Sequence, residues 1–201
     1  MSSEYVQTGR AQQKLKTRAR ILQCAQELMA ETGSISLEDV AKATGISRAT
    51  MYRYFPNADI LAAEVGIHFK AKTTDQLAEE VKDMPLNGAL RHVQQYFNDL
   101  TRDHELAFRK FLSATLSESL KDGDSSKLRG ARRTAIAQRI IDQKGSKLSS
   151  DDQKNLTLIM AVLSGIEPFI VNRDVNDMSN ESSDELLHWA LENILKGLAK
   201  D

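Results

Sequence analysis

Residues 37–55 read LEDVAKATGISRATMYRYF, and no other run constrains the chain as tightly. Three positions set its geometry. Ala41 lies inside a short helix, where a bulky side chain would push a neighbouring helix away. Gly45 lies where that helix must stop, at a turn that asks for positive φ, which glycine adopts without strain. Ile46 follows as an apolar plug. Ser47 can cap a second helix with its hydroxyl. Val40, Ile46, Met51 and Phe55 are left to fill a small core. In this order these features predict two short helices crossing at a tight turn, a helix-turn-helix.

The rest of the sequence extends a helical reading. Apolar residues make up 41% of the 201, enough for a sizeable core. The three prolines, Pro56, Pro85 and Pro168, fall where helices start, end or kink. No alternating run of β-branched residues is bounded by turns, so the fold class is all-α. Met1 to Gln13 is polar, without a periodic apolar face, and is expected to be a mobile arm. From Thr17 an apolar face of Ile21, Leu22, Ala25, Leu28 and Met29 predicts a helix ending at Gly33. Ser36, with Asp39 three residues on, opens the next helix, to about Thr44. A further helix spans about Ser47 to Phe55. Asn57 then caps a long one from Ala58 to about Val81. Further breaks are expected near Met84-Pro85, Asp103-His104, Asp122 to Ser126, Gly145 to Ser150 and Asn172 to Ser183. Ser150 with Gln153, and Ser182 with Glu185, have capping-box spacing. About nine helices result. They divide into a basic arm (1–13), a three-helix head (14–60) and a larger helical body (61–201).

Net charge is −1, which argues against a general nucleic-acid coat. Its distribution is uneven. Arg10, Lys14, Lys16, Arg18 and Arg20 form a basic run with no acid among them. Beside a helix-turn-helix, such a run fits a DNA reader with a small electrostatic footprint; the alternative is a solubilising tail. The single cysteine, Cys24, lies on the apolar face of its helix and reads as a buried structural thiol. With no internal disulfide possible, no membrane-length apolar run and no signal-peptide core, a cytoplasmic protein is expected.

The layout and residues resemble the TetR family of transcriptional repressors. The matching positions are Arg18, Ile21-Leu22, Ala25, Gly33, Ser36, Val40-Ala41, Gly45-Ile46-Ser47, Thr50-Met51-Tyr52, Tyr54-Phe55 and Leu61, about the first third of the chain. The resemblance implies a homodimer on a pseudo-palindromic double-stranded operator, released when a small-molecule effector enters the body. Carried over along the motif, Ser36 and Ser47 would contact phosphate. Arg48, Ala49 and Thr50 would face base edges, Arg48 gripping guanine and Ala49 or the Thr50 methyl touching a thymine methyl. Tyr52, Arg53 and Tyr54 would meet the phosphate backbone. The alternative for the tyrosines is packing within the head, and for Arg53 an ion pair. Two positions depart from the family pattern. Ala58 stands where a lysine is common, and Glu38 where a DNA-reaching residue is common. Glu38 reads as a solvated acid, or as an acceptor from cytosine N4.

The body is less distinctive. Phe69, Phe97, Phe108 and Phe111 are candidate walls of an effector pocket, or ordinary core. His68, His92, His104 and His188 show no i, i+4 pair, so no metal site is expected and no cofactor is implied. Glu167 interrupts an apolar run beside Pro168 and faces a pocket, a subunit contact or water. The dimer interface is assigned to the last two helices: Leu156, Ile159, Met160 and Leu163 on one, Leu187, Leu191, Ile194 and Leu198 on the other. An enzyme is disfavoured, because no phosphate-cradling loop, nucleophile elbow or metal-ligand pair is present. Two readings remain: a regulator released from DNA by a small molecule, and a TetR-like DNA-binding protein acting through a protein partner without one.

Overall fold

The computed structural model describes residues 3–122 and 131–199. Among them there are eleven α-helices and no strand: α1 (Ser3–Thr32), α2 (Leu37–Thr44), α3 (Arg48–Tyr54), α4 (Ala58–His68), α5 (Thr74–Glu80), α6 (Leu86–Asp103), α7 (Glu105–Asp122), α8 (Arg132–Lys144), α9 (Ser150–Val162), α10 (Ile166–Ile170) and α11 (Asn180–Leu198). A π-helical turn, Val171–Val175, follows α10.

Two long predicted helices are each broken, which raises the count from nine. The expected helix 58–81 stops at His68. A new one starts at Thr73, whose hydroxyl accepts from Gln76 N while the Gln76 side chain accepts from Thr73 N, a complete capping box. The apolar run after Ser150 breaks at Gly165, whose φ of 85° and ψ of −155° no residue with a Cβ adopts easily. Caps also shift. Ser149, not Ser150, caps α9, and Ser179, not Ser182, caps α11. In both, the serine hydroxyl three residues before an available N–H wins over the later serine. The expected arm is helical from Ser3 onward, continuous with α1. Part of the loop predicted at 122–126 lies outside the described residues.

The chain forms two compact units. The first comprises residues 1–70 and 106–130. The boundary expected at residue 60 therefore falls inside α4, which belongs whole to this unit. Its core joins Ile21, Leu22 and Ala25 of α1, Leu37, Val40 and Ala41 of α2, Met51, Tyr54 and Phe55 around α3, and Ile60, Leu61 and Val65 of α4. Cys24, Leu28, Ile35, Ile46, Phe111 and Ala114 pack against it. Burial, with Glu27 nearby, pushes the Cys24 thiol above its ordinary pKa, as suits a structural rather than a reactive sulfur.

One ionic link runs through this core. Arg18 Nε donates to Glu64 Oε1 at 2.6 Å, and Arg18 Nη2 pairs with Glu64 Oε2. The guanidinium lies 4.5 Å from the Phe55 ring centroid and reaches the Tyr54 carbonyl. Arg18, read as part of a basic run, is buried. Arg20 is turned to the C-terminal end of α2, donating to the Thr44 carbonyl at 3.0 Å.

The second unit comprises residues 71–105 and 131–201. Its core holds Leu90, Val93 and Phe97 of α6, Ile136, Ile140 and Ile141 of α8, Leu156 and Met160 of α9, and Leu187 and Leu191 of α11. Amides thread between these helices. Gln94 Nε2 donates to the Leu163 and Leu187 carbonyls, and Asn98 takes the Gly165 N–H while donating to Asp184. Asn172, at the start of an expected break, is buried and donates to the Ser183 hydroxyl. Glu167 forms a two-pronged ion pair with Arg133 at 2.8 and 3.0 Å. Arg133 also donates to the Ala161 and Ser164 carbonyls, tying the α9–α10 break together.

Candidate nucleic-acid interface

The α2–turn–α3 element is built as its sequence implies. Ser36 Oγ accepts from Asp39 N at 3.1 Å and donates to the Asp39 carboxylate. At the far end of α2, Gly45 takes φ of 66°. Gly45 N donates to Lys42 O and Ile46 N to Ala41 O. These are the paired bonds of a Schellman motif, and they swing Ile46 back onto the core. Ser47 then caps α3, its hydroxyl accepting from Thr50 N at 3.2 Å and donating to the Thr50 hydroxyl.

These caps fix which side of α3 faces out. Met51, Tyr54 and Phe55 turn inward, and Arg48, Ala49, Tyr52 and Arg53 turn outward. Thr50 is half-buried and Ser47 exposed. Tyr54 departs from its expected place at the phosphate backbone. It is only 7% exposed and belongs to the core, because it follows Met51 by one helical turn on the same face. The structure thus separates Tyr52 from Tyr54, which the sequence reading had treated alike.

Glu38 is not merely solvated. Its Oε1 accepts from Arg48 Nη2 at 2.8 Å and from the Tyr52 hydroxyl at 3.2 Å. Arg48 and Tyr52 are one turn apart on α3, so a single carboxylate in the first turn of α2 reaches both. Sequence separation hid this pairing. The start of α4 carries Ala58 and Asp59, with Asn57 capping through Ile60 N at 2.9 Å. The side chains of Arg10 and Lys14 lie outside the described residues, and Lys16 is exposed.

The residues expected to line a pocket are scattered. Phe69 is exposed and stands edge-on to His68, Phe111 packs against the first unit's core, and Phe108 is half-buried in the same unit. Phe97 is buried in the second unit. A small cavity of about 150 Å³ in the second unit is lined instead by Asn87, Gly88, Arg91, His188, Leu191, Glu192 and Leu195. Among the described residues, no three His, Cys, Asp or Glu side chains gather as a metal site would require.

The expected dimer residues are largely internal. Leu156, Met160, Leu187 and Leu191 are buried within the second unit, and Ile159, Leu163, Ile194 and Leu198 are half-buried. The apolar periodicity serves the unit's own core at Leu156, Met160, Leu187 and Leu191. The same helices expose Leu158 and Val162 on α9, and Leu186 and Trp189 on α11. Leu158 and Val162 sit two positions from Leu156 and Met160, about 200° around the helix. No single helix among the described residues is long and apolar enough to cross a membrane.

Residues 21–65 match the family model described as bacterial regulatory proteins, tetR family. Among solved structures, the fold is similar to the crystal structure of a TetR transcriptional regulator from Rhodococcus sp. RHA1. The similarity covers 90% of this chain and 97% of that one, with a TM-score of 0.51 and 19% identity. No curated protein matches.

Proposed function

We propose that the chain is a DNA-binding transcriptional regulator of the TetR type, a repressor whose α3 reads an operator and whose second unit answers a small-molecule effector, a reading supported by the family match over residues 21–65 and by the similar fold. The observation that carries the DNA-reading part is the outward face of α3, Arg48, Ala49, Tyr52 and Arg53, fixed by the inward anchoring of Met51 and Phe55. In this reading Arg48 addresses guanine O6 and N7, and Ala49 and the Thr50 methyl address thymine methyls. Ser36, Ser47, Tyr52 and Arg53 address phosphates. Tyr54, 7% exposed, is assigned in this reading to the core of the head.

The repressor acts as a homodimer in this reading. Its contact is formed by the exposed Leu158, Val162, Leu186 and Trp189 rather than by the residues expected from periodicity. The effector remains a small molecule of unassigned chemistry, admitted to the second unit.

The test starts from the genomic fragments retained by the purified protein. On the site they define, Arg48→Ala should lose about 1–3 kcal/mol and relax the base preference at one position of each half-site. Unchanged affinity and preference in a gel-shift titration would overturn the role of Arg48. The same preparation should scatter light as a dimer, and Trp189→Glu as a monomer.

A further inference from the structure

Glu38 places a carboxylate on the face that, in the reading above, meets a polyanion. Its side chain is 48% exposed and that of Arg48 is 71% exposed. A pair so open to water adds little to stability. Its effect on binding is larger, because a phosphate that approaches Arg48 must compete with Glu38 for the guanidinium and is repelled by the carboxylate. A guanine edge is a different partner. It offers two acceptors to a planar fork and carries no charge of its own. Arg48 is engaged with Glu38 through Nη2, so one end of the fork is fixed and the side chain loses less freedom on docking. Tyr52, held by the same oxygen, is fixed one turn further along.

We propose that Glu38 is a specificity-determining positioning residue: it holds Arg48 and Tyr52 in one geometry and penalises contacts to phosphate alone, so that α3 discriminates operator from bulk DNA. This rests on the assignment of α3 as the DNA-reading helix.

Glu38→Gln is the informative change, because it removes the charge and keeps a side-chain oxygen for Tyr52 and Arg48. Wild-type full-length protein is first used to enrich a site from a pool of random duplexes. The Kd of wild type, Glu38→Gln, Arg48→Ala and the double variant is then measured on that site and on an unrelated duplex of equal length. Salt is varied between about 50 and 200 mM. Glu38→Gln should bind the unrelated duplex about fivefold more tightly, with a salt slope steeper by about one. The ratio of specific to non-specific affinity should fall about fivefold. That fall should largely vanish in the Arg48→Ala background. Melting curves should match wild type, since both side chains are exposed. An unchanged ratio and slope, or effects of the two substitutions that simply add, overturns the role of Glu38 while leaving α3 as the reader. Failure of the wild type to enrich any site overturns the DNA-reading assignment itself, and this inference with it.

Discussion

The two units close their cores by different means. In the first, twelve apolar side chains from α1 to α4 meet, and among the described residues the polar groups buried there are Arg18 and Thr115. In the second, Gln94, Asn98, Thr101, Thr157, Ser164, Asn172 and Ser183 are all buried. Apolar contact is tolerant of small shifts, whereas an amide bonded to two carbonyls is satisfied in one register only. The head is therefore held by shape and a buried ion pair, and the second unit by a set of directional bonds. A DNA-reading surface needs its helices in a fixed mutual angle. An apolar core shared by α1 to α4, locked by Arg18 and Glu64, provides that.

The comparison breaks first at the ion pair. Glu64→Gln leaves the buried Arg18 guanidinium without its counter-charge and should destabilise the head by about 3 kcal/mol, read by chemical denaturation. A loss no larger than that of an exposed pair would mean that apolar packing alone holds the head.

The glycines sharpen it next. A Cβ at Gly165 would lie 2.7 Å from Arg133 Nη1, in a backbone region nearly closed to other residues, so Gly165→Ala should cost about 2–3 kcal/mol. At Gly45 nothing lies within 4 Å of the added Cβ, and the left-handed backbone is only mildly adverse. Gly45→Ala should cost about 1 kcal/mol. Equal costs in thermal or urea melts would erase the distinction between a crowded junction and an open cap.

The smallest effect concerns protons. Burial, and then Arg91, hold His188 below its ordinary pKa of 6.5, outweighing Asp184, Glu192 and Asp99; its Nε2 is buried without a hydrogen-bond partner. A depressed histidine is neutral in the folded state while the unfolded chain takes up a proton. Its share of stability is therefore complete above 6.5 and is lost as pH falls below it. The melting temperature should decline slightly over that acid window, and His188→Leu should flatten the decline. A wild-type profile already flat would show that the imidazole is solvated.

The head was legible because its rules are local. Ser36, Gly45, Ser47 and Asn57 each announce a helix end through a short-range bond, and all four do what their residue types predict. The ends at Thr73, Ser149 and Ser179 use the same chemistry, but neighbouring serines and threonines offered competing caps. The pairs that were missed join distant residues: Arg18 with Glu64, Glu38 with Arg48, Arg133 with Glu167. Charge in a sequence reads as solvated surface until the fold brings its partner. Periodicity likewise found the apolar faces of α9 and α11 but could not tell which neighbour each faces, so Leu156, Met160, Leu187 and Leu191 were given to a subunit contact instead of to the core.

Helix α3 has seven residues. An isolated helix in water needs about 12–15 before it is even marginally formed. α3 therefore has no helicity of its own to keep when Met51 and Phe55 leave the core. Its hydrogen-bonded amides, from Met51 on, should exchange with solvent only through opening of the whole head, as one cooperative unit rather than by fraying. The surface proposed to read DNA is thus a population: the competent fraction equals the fraction in which the head is folded, and a core substitution in the head is felt as an affinity once it brings that fraction well below one.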